Sequence, residues 1–294
     1  MNKLKTVAFV GLGKMGVPMA QRLMDAGYDV IGVDASEAGC GAFEAVGGRA
    51  TTSPTDAVQS ADIVVTMLPN GKVVADVVHR IVSEIEGRGV LVVDMSSSAP
   101  ADTRALADAL PETVSLIDAP VSGGVKRAVS GDLTIMAGGA KDDLSRAMPM
   151  LDVLGNQVIH CGPIASGHAV KAINNFVSAS GLVAAVEALQ LARAFGVEGD
   201  TLVDALNGSS GQNNATLVKM KPFVLSETFG SGFAAGLMAK DIGIAADLSR
   251  DLGLDLDLLQ RMERLWAEAV EALGGDADHT RIAEYVSAHS RAKA

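Results

Sequence analysis

Polar residues recur along one side of an otherwise apolar stretch between residues 166 and 195. His168, Lys171, Asn175 and Ser178 stand at i, i+3, i+7 and i+10, which is one face of an α-helix. Burying an ammonium and an amide among apolar side chains is costly unless each has a partner or a task. The chemistry such a lysine could do is proton transfer. Free lysine, with a pKa of about 10.4, is a poor base near neutrality, and desolvation or a neighbouring positive charge lowers it into a useful range. From the pattern alone, an equally available reading is a lysine that snorkels to solvent from the first helical turn. His168 reads as a cap or a solvated residue at the helix start.

A second constellation opens the chain. Gly11, Gly13 and Gly16 form G-x-G-x-x-G in "GLGKMG", with Leu12 and Met15 among them, directly after an apolar run and before a helical pattern. The first glycine permits a tight turn, the second lets backbone approach a pyrophosphate, and the third lets the helix pack close on the strand. Asp34 follows 18 residues after Gly16, at the end of the next apolar run. A carboxylate there accepts hydrogen bonds from ribose hydroxyls and repels a 2′-phosphate, so NAD is expected over NADP. An exposed aspartate in a strand-to-helix turn would look the same.

Three further segments follow predicted strands or lie in helices. "MLPNG" (67–71) and "VDMSSSAP" (93–100) belong to loops at strand carboxyl ends, where a parallel sheet binds its ligands. The hydroxyls of Ser96–Ser98 could contact a cofactor or cap the helix before Pro100. Ser122, Gly123 and Gly124 in "DAPVSGG" offer a hydroxyl and open backbone amides to a carboxylate, although a plain turn uses the same residue types. Lys240 and Asp241 in "LMAKDIG" read most simply as a solvated charge pair on an apolar helix.

The elements that must position these residues divide the chain in two. Strands are predicted at Thr6–Val10, Asp29–Val33, Asp62–Leu68, Val90–Met95, Val114–Asp118, Leu133–Ala137 and Gln157–His160, with amphipathic segments such as Met15–Ala26, Lys72–Glu84, Ala101–Leu110 and Lys141–Leu154 between them. Strand–helix alternation of this kind means a parallel sheet with helices on both faces. After Cys161 the pattern turns helical: Ser166–Phe195, Gly199–Leu206, Ala215–Leu225, Leu237–Leu252, Asp257–Leu273 and a short segment from Ala277. The expected fold is an α/β Rossmann-type doubly wound sheet over 1–162 and an all-α domain over 163–294, joined by a long interdomain helix. The polar stripe of that helix then faces the cleft between the domains.

Bulk properties narrow the function classes. The chain has 294 residues, 24 basic against 35 acidic, and a net charge of −11. Nucleic acid and anionic membranes require a positive footprint, so neither is an expected partner. Two cysteines, Cys40 and Cys161, are too far apart in sequence for a metal motif, and no metal is expected. "MNKLKTVAFV", with Lys3 and Lys5, has the start of a signal peptide but ends its apolar run at Gly11, so it reads as a first buried strand. The 169–192 stretch is long enough to span a bilayer but is interrupted by Lys171, Asn174, Asn175 and Glu187. A soluble cytoplasmic protein is expected.

Taken together, the motifs resemble the β-hydroxyacid dehydrogenase family, whose best-known member is 3-hydroxyisobutyrate dehydrogenase. "FVGLGKMGVPMAQRL" resembles its dinucleotide signature, "DAPVSGGVKRAVSGDLTIMAGG" its substrate loop, "GPIASGHAVKAINN" its catalytic helix and "LMAKDIGIA" its C-terminal Lys-Asp motif. The resemblance covers nearly the whole chain. It implies Lys171 as acid/base with Asn175 as its hydrogen-bonding neighbour, and Ser122, Gly123 and Gly124 around the substrate carboxylate. It also implies cofactor contacts at Leu68, Pro69, Ser97 and Lys240, no metal, and assembly as a homodimer or homotetramer.

The implied reaction is reversible, NAD-dependent oxidation of a small β-hydroxy acid to its semialdehyde or oxo acid. Members acting on 3-hydroxyisobutyrate or serine often carry Asn-Trp where this chain has Asn213 and Asn214. Asn214 in place of an indole implies a roomier, more polar substrate pocket. That favours tartronate semialdehyde, threonate, 4-hydroxybutyrate or a sulfonated analogue as alternatives to 3-hydroxyisobutyrate. Two readings from other classes fit less well. A non-catalytic nucleotide-binding scaffold has no reason to keep Lys171, Asn175 and the Ser-Gly-Gly loop together, and imine reductases usually carry another residue at the lysine position. The 6-phosphogluconate dehydrogenases share the cofactor half but have a much longer helical domain.

Overall fold

The computed structural model describes residues 6–290, so Lys3 and Lys5 of the amino-terminal reading lie outside it. Two compact units make up the chain, Met1–Lys171 and Ala172–Ala294.

Among the described residues the first unit holds nine strands: β1 (Thr6–Val10), β2 (Asp29–Val33), β3 (Arg49–Thr51), β4 (Ile63–Thr66), β5 (Leu91–Asp94), β6 (Ser115–Asp118), β7 (Val121–Ser122), β8 (Leu133–Gly138) and β9 (Gly155–Gly162). Its helices are α1 (Gly16–Asp25), α2 (Glu37–Glu44), α3 (Pro54–Val58), α4 (Gly71–Ile85), α5 (Pro100–Ala109), α6 (Gly124–Ser130), α7 (Lys141–Leu154) and the start of α8 (Ser166–Phe195). The sheet order is β3-β2-β1-β4-β5-β6-β8-β7, with β9 on β8. From β3 to β6 every pairing is parallel. This is the doubly wound arrangement, with the loops after β1, β2, β4, β5 and β6 at one edge.

The pleat explains why the central strands are apolar throughout. Val7 and Phe9 of β1 enter one core layer with Ile63, Val65, Leu91 and Val93. Ala8 and Val10 face the opposite layer with Val64 and Val92. Both faces are covered by helices, so neither set of alternate residues can be polar.

The sheet departs from the expected all-parallel form at its far side. There β8 runs antiparallel to both β6 and β7. The chain returns directly from the short β7–α6 excursion instead of crossing over, and a direct return gives antiparallel pairing. Sequence patterning also missed β3, α2 and α3. The first is a three-residue edge strand without a buried residue, too short and too exposed to leave a periodic signal.

The second unit continues α8 and adds α9 (Gly199–Asn207), α10 (Asn214–Val218), a π-helical turn (Met220–Leu225), α11 (Ala235–Asp251), α12 (Asp257–Leu273), a 3₁₀ turn (His279–Arg281) and α13 (Ile282–His289). Its core gathers Leu182, Val186 and Leu189 of α8 with Met238, Ile242, Met262 and Trp266. By length and composition α8 could cross a membrane. Its buried face is that of a core helix, and Lys171 and Asn175 lie on it.

Candidate active site

The first unit builds a dinucleotide cradle from the end of β1. Gly11 has φ +105°, and a Cβ there would lie 2.2 Å from the Met67 carbonyl oxygen. A Cβ on Gly16 would lie 1.8 Å from the Gly11 carbonyl oxygen, which is how the third glycine brings α1 against the strand. Gly13 has nothing within 4 Å of where a Cβ would sit, so its backbone is open to a ligand. No side chain caps α1 at Met15, which leaves the first amides of the helix for an anion. These are the features a pyrophosphate requires, and the residues present fit NAD.

Asp34 ends the next strand. Its carboxylate accepts from the amides of Leu12 (2.9 Å) and Ser36 (2.9 Å) and from the Ser36 hydroxyl (2.8 Å). Burial raises its carboxyl, but those three hydrogen bonds outweigh burial and hold it below the usual carboxylate range. The tie to Leu12 locks the carboxylate to the glycine loop.

The Leu68 amide, in the loop after β4, donates to Ser96 Oγ in the loop after β5 at 2.9 Å. Pro69 lies beside it, and Ser97 is half-buried on the second loop. Asp94, at the end of β5, organises this loop. It accepts from Thr66 Oγ1 (2.9 Å), the Ser96 amide (3.0 Å) and Ser98 Oγ (2.8 Å). Ser96 and Ser98 therefore serve Asp94, and α5 has Ala99 at its N-cap position without a side-chain bond. Beyond β6, Ser122 is half-buried, and Gly123 (φ +139°) and Gly124 (φ +67°) turn the chain into α6 with their backbone exposed.

Helix α8 carries the polar stripe. Lys171 and Asn175 are both buried, with relative exposures of 8% and 6%, and one helical turn separates them. Asn175 Nδ2 donates to Asp241 Oδ2 at 2.5 Å, and Asn175 Oδ1 accepts from Asn174 at 3.1 Å. Asp241 is buried on α11 and lies 3.8 Å from Lys240 Nζ. The Lys240–Asp241 pair is thus not the solvated pair that pattern suggested: Asp241 turns inward to orient Asn175. Further along, Ser178 Oγ lies 3.3 Å from Lys219 Nζ.

His168 also departs from expectation. It is fully buried, neither a cap nor solvated. Its Nδ1 is 2.8 Å from Thr103 Oγ1, and its Nε2 is 3.0 Å from the Ser96 carbonyl oxygen. Asp118, at the end of β6, caps the start of α8 from outside, accepting from the Ala165 amide (2.7 Å) and the His168 amide (2.8 Å). Burial pushes the Asp118 carboxyl up, against the opposing pull of His168 and the two amides. Sequence reasoning missed Asp94, Asp118 and Lys219. A carboxylate ending an apolar strand, as in "VVD" and "LID", was the available signal for the first two.

Asn213 and Asn214 stand at the start of α10. Asn213 is the N-cap of α10, accepting from the amides of Ala215 and Thr216 in a capping box. Asn214 is exposed at the first position of that helix.

Residues 6–162 match the NAD-binding domain of 6-phosphogluconate dehydrogenase, and residues 165–286 match the NAD-binding domain of NADP-dependent 3-hydroxyisobutyrate dehydrogenase. The chain is 34% identical over 278 residues to 2-(hydroxymethyl)glutarate dehydrogenase of Eubacterium barkeri, covering 93% of this chain and 92% of that protein. It is 36% identical over 257 residues to an NAD-dependent L-serine dehydrogenase of Pseudomonas aeruginosa, covering 84% and 86%. Among solved structures, Mycobacterium tuberculosis 3-hydroxyisobutyrate dehydrogenase with L-serine superposes with a TM-score of 0.90 at 32% identity, covering 96% of this chain and 99% of that one.

Proposed function

Because the chain belongs to the β-hydroxyacid dehydrogenase family, we propose that it oxidises a hydroxymethyl acid of the form HOCH2–CHR–COO⁻ with Lys171 as the acid/base. The chain is an NAD-dependent oxidoreductase acting on CH–OH groups. The observation that carries the finer reading is the buried pair Lys171 and Asn175, one turn apart on α8, with Asn175 oriented by Asp241. When bound, the dinucleotide supplies hydride acceptance and donation. Lys171 takes the hydroxyl proton during oxidation and returns it during reduction, and Asn175 aligns the ammonium or the substrate oxygen. Ser122 and the open backbone of Gly123 and Gly124 hold the carboxylate. Gly11, Gly13, Gly16 and Asp34 hold the cofactor.

The substrate form is what the named relatives' substrates share: 2-(hydroxymethyl)glutarate, L-serine and 3-hydroxyisobutyrate differ in R alone. A polar R is not argued from Asn213, whose amide is spent on the α10 cap. The test is NADH formation with these three acids and with glycerate, threonate and 4-hydroxybutyrate. Turnover of a hydroxymethyl acid supports the reading, and exclusive turnover of 4-hydroxybutyrate overturns it. Lys171→Ala should lower kcat by roughly 10²–10⁴-fold while NAD still binds, and near-normal turnover in that variant removes Lys171 from its role. We also infer a homodimer or homotetramer in solution, supported by the exposed Val170, Ile173, Val177 and Leu191 along α8 and checked by light scattering.

A further inference from the structure

The two lysines that flank Met220 have opposite surroundings. Lys221 is exposed and pairs with Asp200 and Asp204, at 3.7 and 2.6 Å. Lys219 is half-buried at the break between α10 and the π-helical turn. Its Nζ has Ser178 Oγ as a hydrogen-bond partner, at 3.3 Å, and it forms no ion pair among the described residues. An ammonium has three protons to donate, so those residues take up one of the three.

The carboxylate that could neutralise Lys219 is committed elsewhere. Asp278 accepts from Ser231 Oγ (2.9 Å), the Gly232 amide (2.7 Å), the Thr280 amide (3.0 Å) and the Thr280 hydroxyl (2.5 Å). It favours the Lys219 charge from a distance without pairing with it. Burial outweighs that pull and holds Lys219 below the usual lysine range. A desolvated cation without a carboxylate is costly, and this chain has 35 acidic residues against 24 basic ones. A ligand that brings the counter-charge removes the cost.

The place of Lys219 says which ligand. Ser178 continues the face of α8 on which Lys171 and Asn175 stand. The rise from Asn175 to Ser178 is about 4.5 Å, close to three carbon–carbon bonds of about 1.5 Å each. The carboxylate of HOCH2–CHR–COO⁻ already has Ser122, Gly123 and Gly124, and its hydroxyl has Lys171. A singly charged substrate leaves Lys219 over, and one with a second acid on a short chain does not.

We propose that Lys219 is a specificity-determining residue whose ammonium receives a second anionic group, carried at the second or third carbon of R. The preferred substrate is then a dianionic hydroxymethyl acid. Ser178 holds Lys219 toward the stripe, and the bound anion restores the full lysine charge, because an opposite charge close by favours the ionised form. The inference names R and rests on the hydroxymethyl-acid reading.

The full chain with NAD is assayed with 2-(hydroxymethyl)glutarate, 2-(hydroxymethyl)succinate, 3-hydroxyisobutyrate and the analogue of the glutarate whose side-chain carboxylate is a primary amide. The amide keeps the shape and removes the charge. The better of the two dianions should exceed the amide about 10- to 100-fold in kcat/KM, and equal values overturn the assignment. Lys219→Met keeps the apolar stem and should bring that ratio close to one, whereas Lys219→Arg should retain it. A lysine that only ties the helix break to α8 would leave the ratio unchanged in Lys219→Met, and that result also overturns the assignment. The ratio in the unmodified protein decides the matter should Lys219→Met fail to fold. Calorimetric binding to Lys171→Ala with NAD separates the two readings: the dianion should bind about 10- to 100-fold tighter than the amide. Normal turnover in Lys171→Ala, or no turnover of any hydroxymethyl acid, would sink the reading beneath, while that binding ratio still decides Lys219.

Discussion

Each unit buries one histidine against an aspartate, and the two differ in almost everything else. In the first unit, both nitrogens of His168 have partners, and carboxylates flank the ring on two sides. In the second, His279 Nδ1 lies 3.1 Å from the Phe233 carbonyl oxygen and 3.0 Å from Ser231 Oγ, while Nε2 is buried without a partner. One carboxylate, Asp278, lies 3.7 Å away, and the Lys219 ammonium opposes it. Burial first and Lys219 second push His279 down to about 4, against the weaker pull of Asp278. Phe233 packs edge-on against the ring at 5.6 Å. Comparable burial thus sets one ring between two carboxylates and leaves the other a neutral packing group beside one carboxylate and an ammonium. The sign and number of neighbouring charges make that difference.

The sharpest way to break the contrast is to remove each aspartate. Asp118→Ala leaves two amides and one side of His168 without an acceptor in a fully buried site. Leaving buried donors unsatisfied costs about 1–3 kcal/mol for each of the two amides. Asp278 is also well bonded, accepting from Ser231, Thr280 and the Gly232 amide, but its side chain is 10% exposed and its histidine is neutral. Asp278→Ala should therefore cost about 1–3 kcal/mol, the range for leaving buried donors unsatisfied. Denaturant unfolding of both variants measures the two losses. An equal or reversed order would mean that the amides held by Asp118 weigh no more than the bonds to the partly exposed Asp278.

The second contrast lies in pH dependence. His279 ionises near 4 in the folded chain against 6.5 for the free group. Between those values the unfolded chain binds more protons, so stability is complete above about pH 6.5 and is lost as pH falls toward 4. A shift of that size corresponds to about 3 kcal/mol. Asp278, held below its usual range, adds a further loss as pH falls through its lowered value. Asp118 has the opposite sign. Its raised carboxyl contributes fully below the ordinary aspartate value, and the contribution declines as pH rises through the raised one. Replacing His279 with Asn, which keeps a donor for Phe233 but cannot titrate, should flatten the acid limb of the stability profile. A limb as steep as before would assign it to other groups.

What could be read in advance follows the same division. The bounds of β1, β2, α8 and α12 are those the hydrophobic period predicts, because burial there is dictated by local sequence. The polar stripe on α8 was visible for the same reason. The partners of that stripe were not: His168 meets Thr103 and Ser96, 65 and 72 residues away, and no local period encodes such distances. The predicted helix Ala215–Leu225 fails for a local reason. Pro222 cannot donate a backbone bond, and the chain breaks at Lys219 (φ −122°) into α10 and a π-helical turn. That break is what places Lys219 beside Ser178 and the Asp278–His279 pair.

The smallest expected effect tests whether Lys219 has the part in that group assigned to it. Because the Phe233 carbonyl oxygen can only accept, His279 carries its proton on Nδ1 and keeps a lone pair on the buried Nε2. A second proton on this ring would bring a positive charge near the Lys219 ammonium, which burial already holds below the usual lysine range. Lys219→Met retains most of the apolar stem and removes the charge. Desolvation, the larger cause of the His279 shift, remains, so the ring should titrate above about 4 and still below 6.5. An NMR titration of His279 in the two proteins reads this directly. No change would mean that burial alone depresses the ring, and a return to 6.5 would mean that burial contributes nothing. Either result would remove the balance of burial against charge that sets His279 apart from His168.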